Sequence, residues 1–278
     1  MQRAMFAQES RPNFGKGPPD RSSAPIVALV LALCVLSASG SMASPSSQET
    51  GQASAIARAD LLYEARGNID NVRRAISILR AEADKNPRNF KAWWRIAKFD
   101  CYLARHVPDK SQQSILEDGI AAGKKAENLE PGRPEGHFWV GANQGLLAEA
   151  RGLWGGLRLI TPIENEMHEV MKLDPGYMDY GAERVLGRLY FEAPFFKGGN
   201  KQLSVRLLED CLRRYPDDSL TMMYLADSYR STGRPGEARK MLEKILSLHS
   251  DPLNGPELAE YKEQARRQLQ KYYHVAMR

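Results

Sequence analysis

From about residue 55 onward, apolar positions fall in helical runs, and these runs end repeatedly in a proline. The stops are Asn86-Pro87, Glu130-Pro131, Asp174-Pro175, Tyr215-Pro216 and Asp251-Pro252, with spacings of 44, 44, 41 and 36 residues. Proline has no amide hydrogen to donate and disfavours a helical backbone in the residue before it. Five such stops at near-regular spacing mark the end of one recurring unit. The internal register agrees: ten residues after Pro87, Pro131 and Pro216 come Ile96-Ala97, Val140-Gly141 and Leu225-Ala226, and Leu186-Gly187 follows Pro175 two residues later. Twelve residues before a stop stand Ala75, Gly119 and Ser204, with bulky Ile163 the exception. Small side chains at fixed places let two helix backbones approach, and large ones fill the gap between units, which is helix-pair packing repeated along an axis.

The last unit has a recognisable pattern. Leu225-Ala226, Tyr229, Gly233, Ala238, Leu242 and Ile245 stand at the spacings of a tetratricopeptide repeat, with Gly233 ending the first helix and Pro235 in the first turn of the second. An earlier pair is predicted near 55–66 and 69–85, where Ala75, Leu79 and Pro87 fit a second helix. A final helix over about 256–275, with Lys262, Arg266, Arg267 and Lys271, reads as a polar cap. The expected fold is all-α, a tetratricopeptide-repeat-like solenoid of about five helical hairpins with a C-terminal capping helix. A standard unit has about 34 residues, so three consecutive units are too long. The surplus is expected in loops over 104–112, 151–162 and 193–200. The last two carry Trp154, Phe195 and Phe196, and stacked along one edge they would form an apolar rim. Such a rim either folds back to plug the core or contacts a partner.

The N-terminus differs from all of this. Residues 1–23 are polar and basic (Arg3, Arg11, Lys16, Arg21), Ile26 to Leu36 is an uncharged apolar run, and small residues follow from Ser37 to Ser44. That order fits a secretory signal, and the run is short of the roughly 20 residues a spanning helix needs. The expected organisation is a targeting segment over 1–43, a flexible linker over 44–54 and a helical-repeat domain over 55–278, in an exported protein of the periplasm or the membrane surface. Membrane attachment would come only through an uncleaved or lipidated N-terminal segment; the bulky Leu33 before Cys34 argues against lipidation. Cys101 and Cys211 lie in non-adjacent repeats and read as core-filling thiols. Composition changes little: 42% hydrophobic and 26% charged residues suit a globular chain, and the formal charge of +5 is spread through it without the concentrated basic stripe of a nucleic-acid binder.

Several stretches together resemble one subgroup of repeat proteins: Gly136-His137-Phe138-Trp139-Val140-Gly141-Ala142-Asn143-Gln144-Gly145, the Trp154/Pro162 insertion, Leu173-Asp174-Pro175, and Arg184-Val185-Leu186-Gly187-Arg188-Leu189-Tyr190 followed by Pro194 and Gly198-Gly199. They resemble the T-component of TRAP transporters over roughly residues 55–250. The resemblance implies an exported repeat protein associated with a periplasmic solute-binding subunit.

In tetratricopeptide solenoids the first helix of each hairpin lines the concave face. The position three before the aligned small residue and the one after it should then face the groove: Trp94 and Lys98, Phe138 and Ala142, Arg184 and Arg188, Met223 and Asp227. Arg184 and Arg188 are one helical turn apart and could grip a carboxylate with paired hydrogen bonds, unless nearby acids such as Glu183 and Glu192 occupy them. Trp93 competes with Trp94 for the inward place. No G-x-S-x-G, HExxH or phosphate loop occurs. The five histidines are scattered, and Glu164 with His168 is a pair without a third ligand. The expectation is a non-catalytic scaffold for protein–protein interaction, without cofactor, catalytic residue or metal, and open to homo-oligomerisation. A stand-alone binder of a small carboxylate or apolar ligand is the alternative.

Overall fold

A computed structural model describes residues 47–251 and 254–274, and among them the chain is helical with no strand. The expected signal segment over 1–43 lies outside the described residues. Ten helices pair in sequence: α1 (Ser47–Glu64) with α2 (Ile69–Lys85), α3 (Phe90–Arg105) with α4 (Asp109–Leu129), α5 (Pro134–Gly156) with α6 (Ile160–Leu173), α7 (Tyr177–Glu192) with α8 (Lys201–Arg214), and α9 (Ser219–Ser231) with α10 (Pro235–Ser247). An eleventh, α11 (Leu258–Tyr273), caps the array. This is the five-hairpin solenoid with a capping helix that the proline spacing predicts. Among the described residues no helix is long and apolar enough to cross a membrane.

The prolines act as the chemistry of the X-Pro bond requires. Asn86, Glu130, Asp174 and Tyr215 each follow the last helical residue of α2, α4, α6 and α8, and their ψ angles of 85°, 74°, 95° and 81° have left the helical region. The next helices start on side-chain caps or on proline. Asn89 Oδ1 accepts from the Ala92 amide, Asp218 caps α9, and Pro134 and Pro235 open α5 and α10.

The small residues of the register sit where helices touch. Ala75, Ala97, Ser204 and Ala226 are buried, and the Ser204 hydroxyl lies 2.9 Å from that of Ser228. A Cβ on Gly141 would collide with Met167, one on Gly119 with Asn143, and one on Gly187 would lie 2.7 Å from Leu208 Cγ. Ile163, the bulky exception, is itself fully buried. Two apolar clusters run through the array. One joins α1 to α7 around Leu79, Ile96, Phe99 and Met167; the other joins α8 to α11 around Leu208, Met222, Leu225, Leu242 and Tyr261. Cys101 and Cys211 are free and buried, 8% and 1% exposed.

The extra length of the long units is mostly helix, which corrects the expectation of three loops. Only residues 106–108 separate α3 from α4, and 157–159 separate α5 from α6. The surplus extends α4 to 21 residues and α5 to 23. Gly152 takes φ +67° and ψ −174°, so α5 is two helical segments joined at that residue, and Trp154 stands on the short second one. Only 193–200 is a true loop. It contains a 3₁₀ turn, Phe195–Lys197, closed by Gly198 at φ +88°.

Gly187→Val should overpack the contact with Leu208 and lower stability by roughly 1–3 kcal/mol. Urea unfolding followed by circular dichroism is the check; an unchanged midpoint would mean that α7 and α8 do not meet there.

Candidate functional site: a chamber closed by the first and last units

Solenoid units normally touch only their sequence neighbours, but here the ends meet. Arg66, just after α1, donates from Nε and Nη2 to both carboxylate oxygens of Glu257, just before α11, at 3.0 Å each. Arg105 at the end of α3 donates from Nη2 to the Tyr261 hydroxyl at 3.1 Å, and His106 Nε2 lies 3.2 Å from Glu260. The inner faces of α3, α5, α7 and α9, with these closing residues, surround a chamber of about 900 Å³.

Aromatic rings make much of the wall. Tyr63 stacks on Phe99 with centroids 4.0 Å apart, Tyr102 meets Tyr63 edge-on, and Phe138 meets Trp139 edge-on at 4.9 Å. Of the residues expected in the groove, Lys98, Phe138, Ala142, Arg184 and Arg188 line the chamber, and Trp94, Met223 and Asp227 do not. The reason is the superhelical twist. The chamber crosses the C-terminal half of α3 (Lys98, Tyr102, Arg105), most of α5, and the N-terminal part of α9 (Leu220, Tyr224), so one fixed pair of positions cannot serve every repeat. Trp94 lies a turn too early on α3 and carries the Arg95 guanidinium 4.1 Å above its ring. Met223 is 5% exposed in the second apolar cluster, and Asp227 binds Arg188 and Gln268. One missed register is visible in the sequence: two before the small residue, Trp139, Val185 and Tyr224 all reach the wall. Tyr63, Arg66 and Glu257 carry no repeat signal, because ring closure places them there.

The two arginines face the chamber but are held by the chain's own carboxylates. Arg184 Nη1 lies 2.7 Å from Asp218 Oδ2, with both side chains buried, and its Nη2 donates to the Met178 carbonyl at 3.2 Å. Arg188 reaches Glu192 at 2.6 Å and Asp227 at 3.1 Å, with Glu149 at 3.8 Å. An open carboxylate clamp is therefore not what these side chains present. Met178, Asp179 and Tyr180 are left-handed (φ 51°, 53° and 59°), a conformation costing about 1–2 kcal/mol per residue. Arg184 holds the first carbonyl of that turn.

Two cations on the wall make no ion pair among the described residues: Lys98 and Arg105. The Lys98 ammonium sits 5.0 Å from the Tyr63 ring centre and 5.8 Å from that of Trp139. Burial, with the neighbouring Arg66 charge, pulls its pKa below the ordinary lysine value.

The aromatic edge is open. Trp154, Phe195 and Phe196 are 78%, 92% and 67% exposed, so they do not fold back into the core. Their chain neighbours Gly152, Gly156, Leu157, Ala193 and Pro194 line the chamber, which places both aromatic segments next to its wall.

Away from the chamber, Glu127, His137 and Glu166 bring possible metal-ligand atoms together. The Lys124 ammonium binds both carboxylates, at 2.7 Å to Glu127, and His137 Nδ1 lies 2.8 Å from Glu166 Oε2. The cluster thus already has its cation and ties α4, α5 and α6 together. The thiols of Cys101 and Cys211 are each pushed up to about 12, chiefly by burial, which leaves them protonated and weakly nucleophilic near neutrality.

Arg184→Met should strand the Asp218 carboxylate in the core and cost roughly 3–5 kcal/mol. The half-buried Arg188, changed to Met, should cost far less. Paired urea titrations test this, and equal losses would contradict the assignment of Arg184 as the buried anchor.

Comparison with known proteins agrees with this architecture. A thermophilic TPR protein of Thermus thermophilus superposes with a TM-score of 0.60 at 16% identity, covering 78% of this chain and 98% of that one. PilF of Pseudomonas aeruginosa (TM-score 0.52, 14% identity, 83% and 96% covered) and the type IV pilus biogenesis factor PilW (0.51, 17%, 80% and 95%) are similar in fold. No curated protein matches the chain by sequence. A tetratricopeptide-repeat model matches residues 221–251, the hairpin of α9 and α10. The model of the regulator of microtubule dynamics protein 1–3 family matches residues 55–194, just over half of the sequence, and the chain belongs to that family of helical-repeat proteins.

Proposed function

We propose that the chain is a non-catalytic scaffold that holds a protein partner at its aromatic edge. The observation that carries this reading is the exposure of Trp154, Phe195 and Phe196 next to the chamber wall. Large aromatic side chains left in water next to a rigid helical frame are the usual anchors of an interface. The repeat fold supports a binding role, since each hairpin adds surface without adding reactive groups.

The finer form of the proposal makes the protein exported, with the solute-binding subunit of a TRAP-type uptake system as its partner. Support for export is the basic, apolar and small-residue order of residues 1–44; support for the partner is the T-component resemblance of segments such as 136–145 and 184–190. The matching family is named for regulation of microtubule dynamics, which makes tubulin the second candidate partner. A second reading, small-molecule binding, is favoured by a half-open cavity of about 900 Å³, within the usual range for small ligands.

The test is pull-down with purified solute-binding subunit and with purified tubulin, using the wild-type chain and the triple variant Trp154→Ser, Phe195→Ser, Phe196→Ser. One bait should be retained by the wild type, and the variant should retain at least about tenfold less, as loss of interface anchors predicts, with the same melting temperature. Equal retention by the variant, or a large fall in its melting temperature, would assign these side chains no part in partner binding.

A further inference from the structure

The chamber wall carries cations and carboxylates, and two of the cations lack a carboxylate within ion-pair distance among the described residues; Asp60 and Glu257 act on Lys98 only from further off, and Glu64 stands unpaired elsewhere on the wall. Arg66 is matched by Glu257, Arg184 by Asp218, and Arg188 by Glu192 and Asp227. Lys98 and Arg105 have no carboxylate partner among the described residues. Arg105 is an exposed residue, yet it lines the chamber, so part of its exposed surface opens on the lumen. Lys98 is partly buried, and the Tyr63 and Trp139 rings compensate its charge only in part. A cation withdrawn from water without an anion is a cost that an anionic ligand would remove.

We infer that the chamber binds a small organic carboxylate, with its charged end at Lys98 and its apolar body against Phe138, Leu146, Val185 and Leu189. The inference rests on the second reading above, that the chamber is a ligand site, and names the ligand's class and its anchor. Three features favour a singly charged ligand with an apolar body. Lys98 and Arg105 are seven residues apart on α3, two helical turns or about 10.5 Å, so they do not converge on one multiply charged group. Glu149 and Glu192, elsewhere on the wall, disfavour a second anionic charge beside them. The apolar side chains between the charged groups offer surface to a hydrocarbon or aromatic body. Arg105 stands two turns further along α3, and the Arg66–Glu257 and Arg105–Tyr261 contacts close the wall around the site.

The experiment uses the full chain and two fluorescent probes that share an aromatic body. Anilinonaphthalene sulfonate is an anion and phenylnaphthylamine is neutral; naphthoate serves as the carboxylate competitor. Anilinonaphthalene sulfonate should fill one saturable site and be displaced by naphthoate. Lys98→Met should weaken both anions about tenfold or more, the scale of a charged hydrogen bond, and leave the neutral probe unchanged. Ala142→Trp should narrow the chamber and weaken both probes without lowering the melting temperature, which locates the site. The inference is overturned if the anionic probe does not saturate, if Lys98→Met binds it as the wild type does, or if Ala142→Trp binds both probes as tightly as the wild type. Because Lys98 lies away from Trp154, Phe195 and Phe196 in the sequence and inside the chamber, Lys98→Met should leave protein pull-down unchanged. A failed carboxylate site and a failed scaffold therefore give different results.

Discussion

The ion pair between Arg184 and Asp218 decides how the last third of the solenoid is placed. Asp218 does several things at once: its Oδ1 accepts from the Leu220 and Thr221 amides as the cap of α9 and from Asn254 Nδ2, and its Oδ2 accepts from Arg184 and the Thr221 hydroxyl. Asn254 in turn binds Asp251, which also accepts from the Ser219 amide and hydroxyl. One buried polar knot thus joins α7, the start of α9 and the segment leading into α11. A buried ion pair is not by itself a gain in stability over a well-packed apolar contact, because both charges lose their water. What it supplies is a single geometry, since any other packing leaves a charge uncompensated.

That geometry is what closes the chamber. Glu257 and Tyr261, which meet Arg66 and Arg105 on the first two hairpins, follow the knot by only three to seven residues. The same guanidinium of Arg184 holds the Met178 carbonyl, and the Cys211 thiol lies 3.6 Å from the Tyr180 carbonyl, while Arg214 covers the Tyr180 ring at 4.1 Å. The left-handed turn at the start of α7 is therefore pinned at both ends, which is how a locally unfavourable backbone persists. Met178 from that turn also lines the chamber. Shape at the inner wall and stability at the hairpin junction are set by one set of contacts.

The repeat was readable because its signals are local. A proline stop and a small residue at fixed distance act through the backbone of their own segment, and the stops at Pro87, Pro131, Pro175 and Pro216 landed at helix ends and the small residues at helix crossings. The extra length differs from expectation because length does not say whether residues are helical: Pro108 stands at the N-cap of α4 and Pro162 sits in the first turn of α6, so both prolines start helices instead of ending them, and the turns between helices are short. Groove positions were readable on α3, α5 and α7, where Lys98, Phe138, Ala142, Arg184 and Arg188 reach the wall, and missed at Trp94, Met223 and Asp227, where the twist has moved the chamber along α3 and α9. What no local pattern could carry was pairing across the ring. Of the nearby acids, Glu192 does bind Arg188 while Glu183 goes to Arg214, and the partners Asp218 and Asp227, 34 and 39 residues later, carry no local signal.

The two model matches divide the chain along a physical line. Residues 55–194 hold Tyr63, Lys98, Tyr102, Arg105, Phe138, Trp139, Arg184 and Arg188, so most of the charge and aromatic surface inside the chamber belongs to the family-specific part. The exposed Trp154 lies there too, and Phe195 follows its last residue directly. The generic repeat at 221–251 contributes Tyr224 to the wall, and with the following turn it mainly positions Asn254 and Glu257. A helical repeat can be extended or exchanged with little change in its packing, because each unit buries its core against its neighbours alone. Most charged and aromatic side chains of the chamber sit in the first three and a half hairpins, and the later units carry the residues through which the two ends meet.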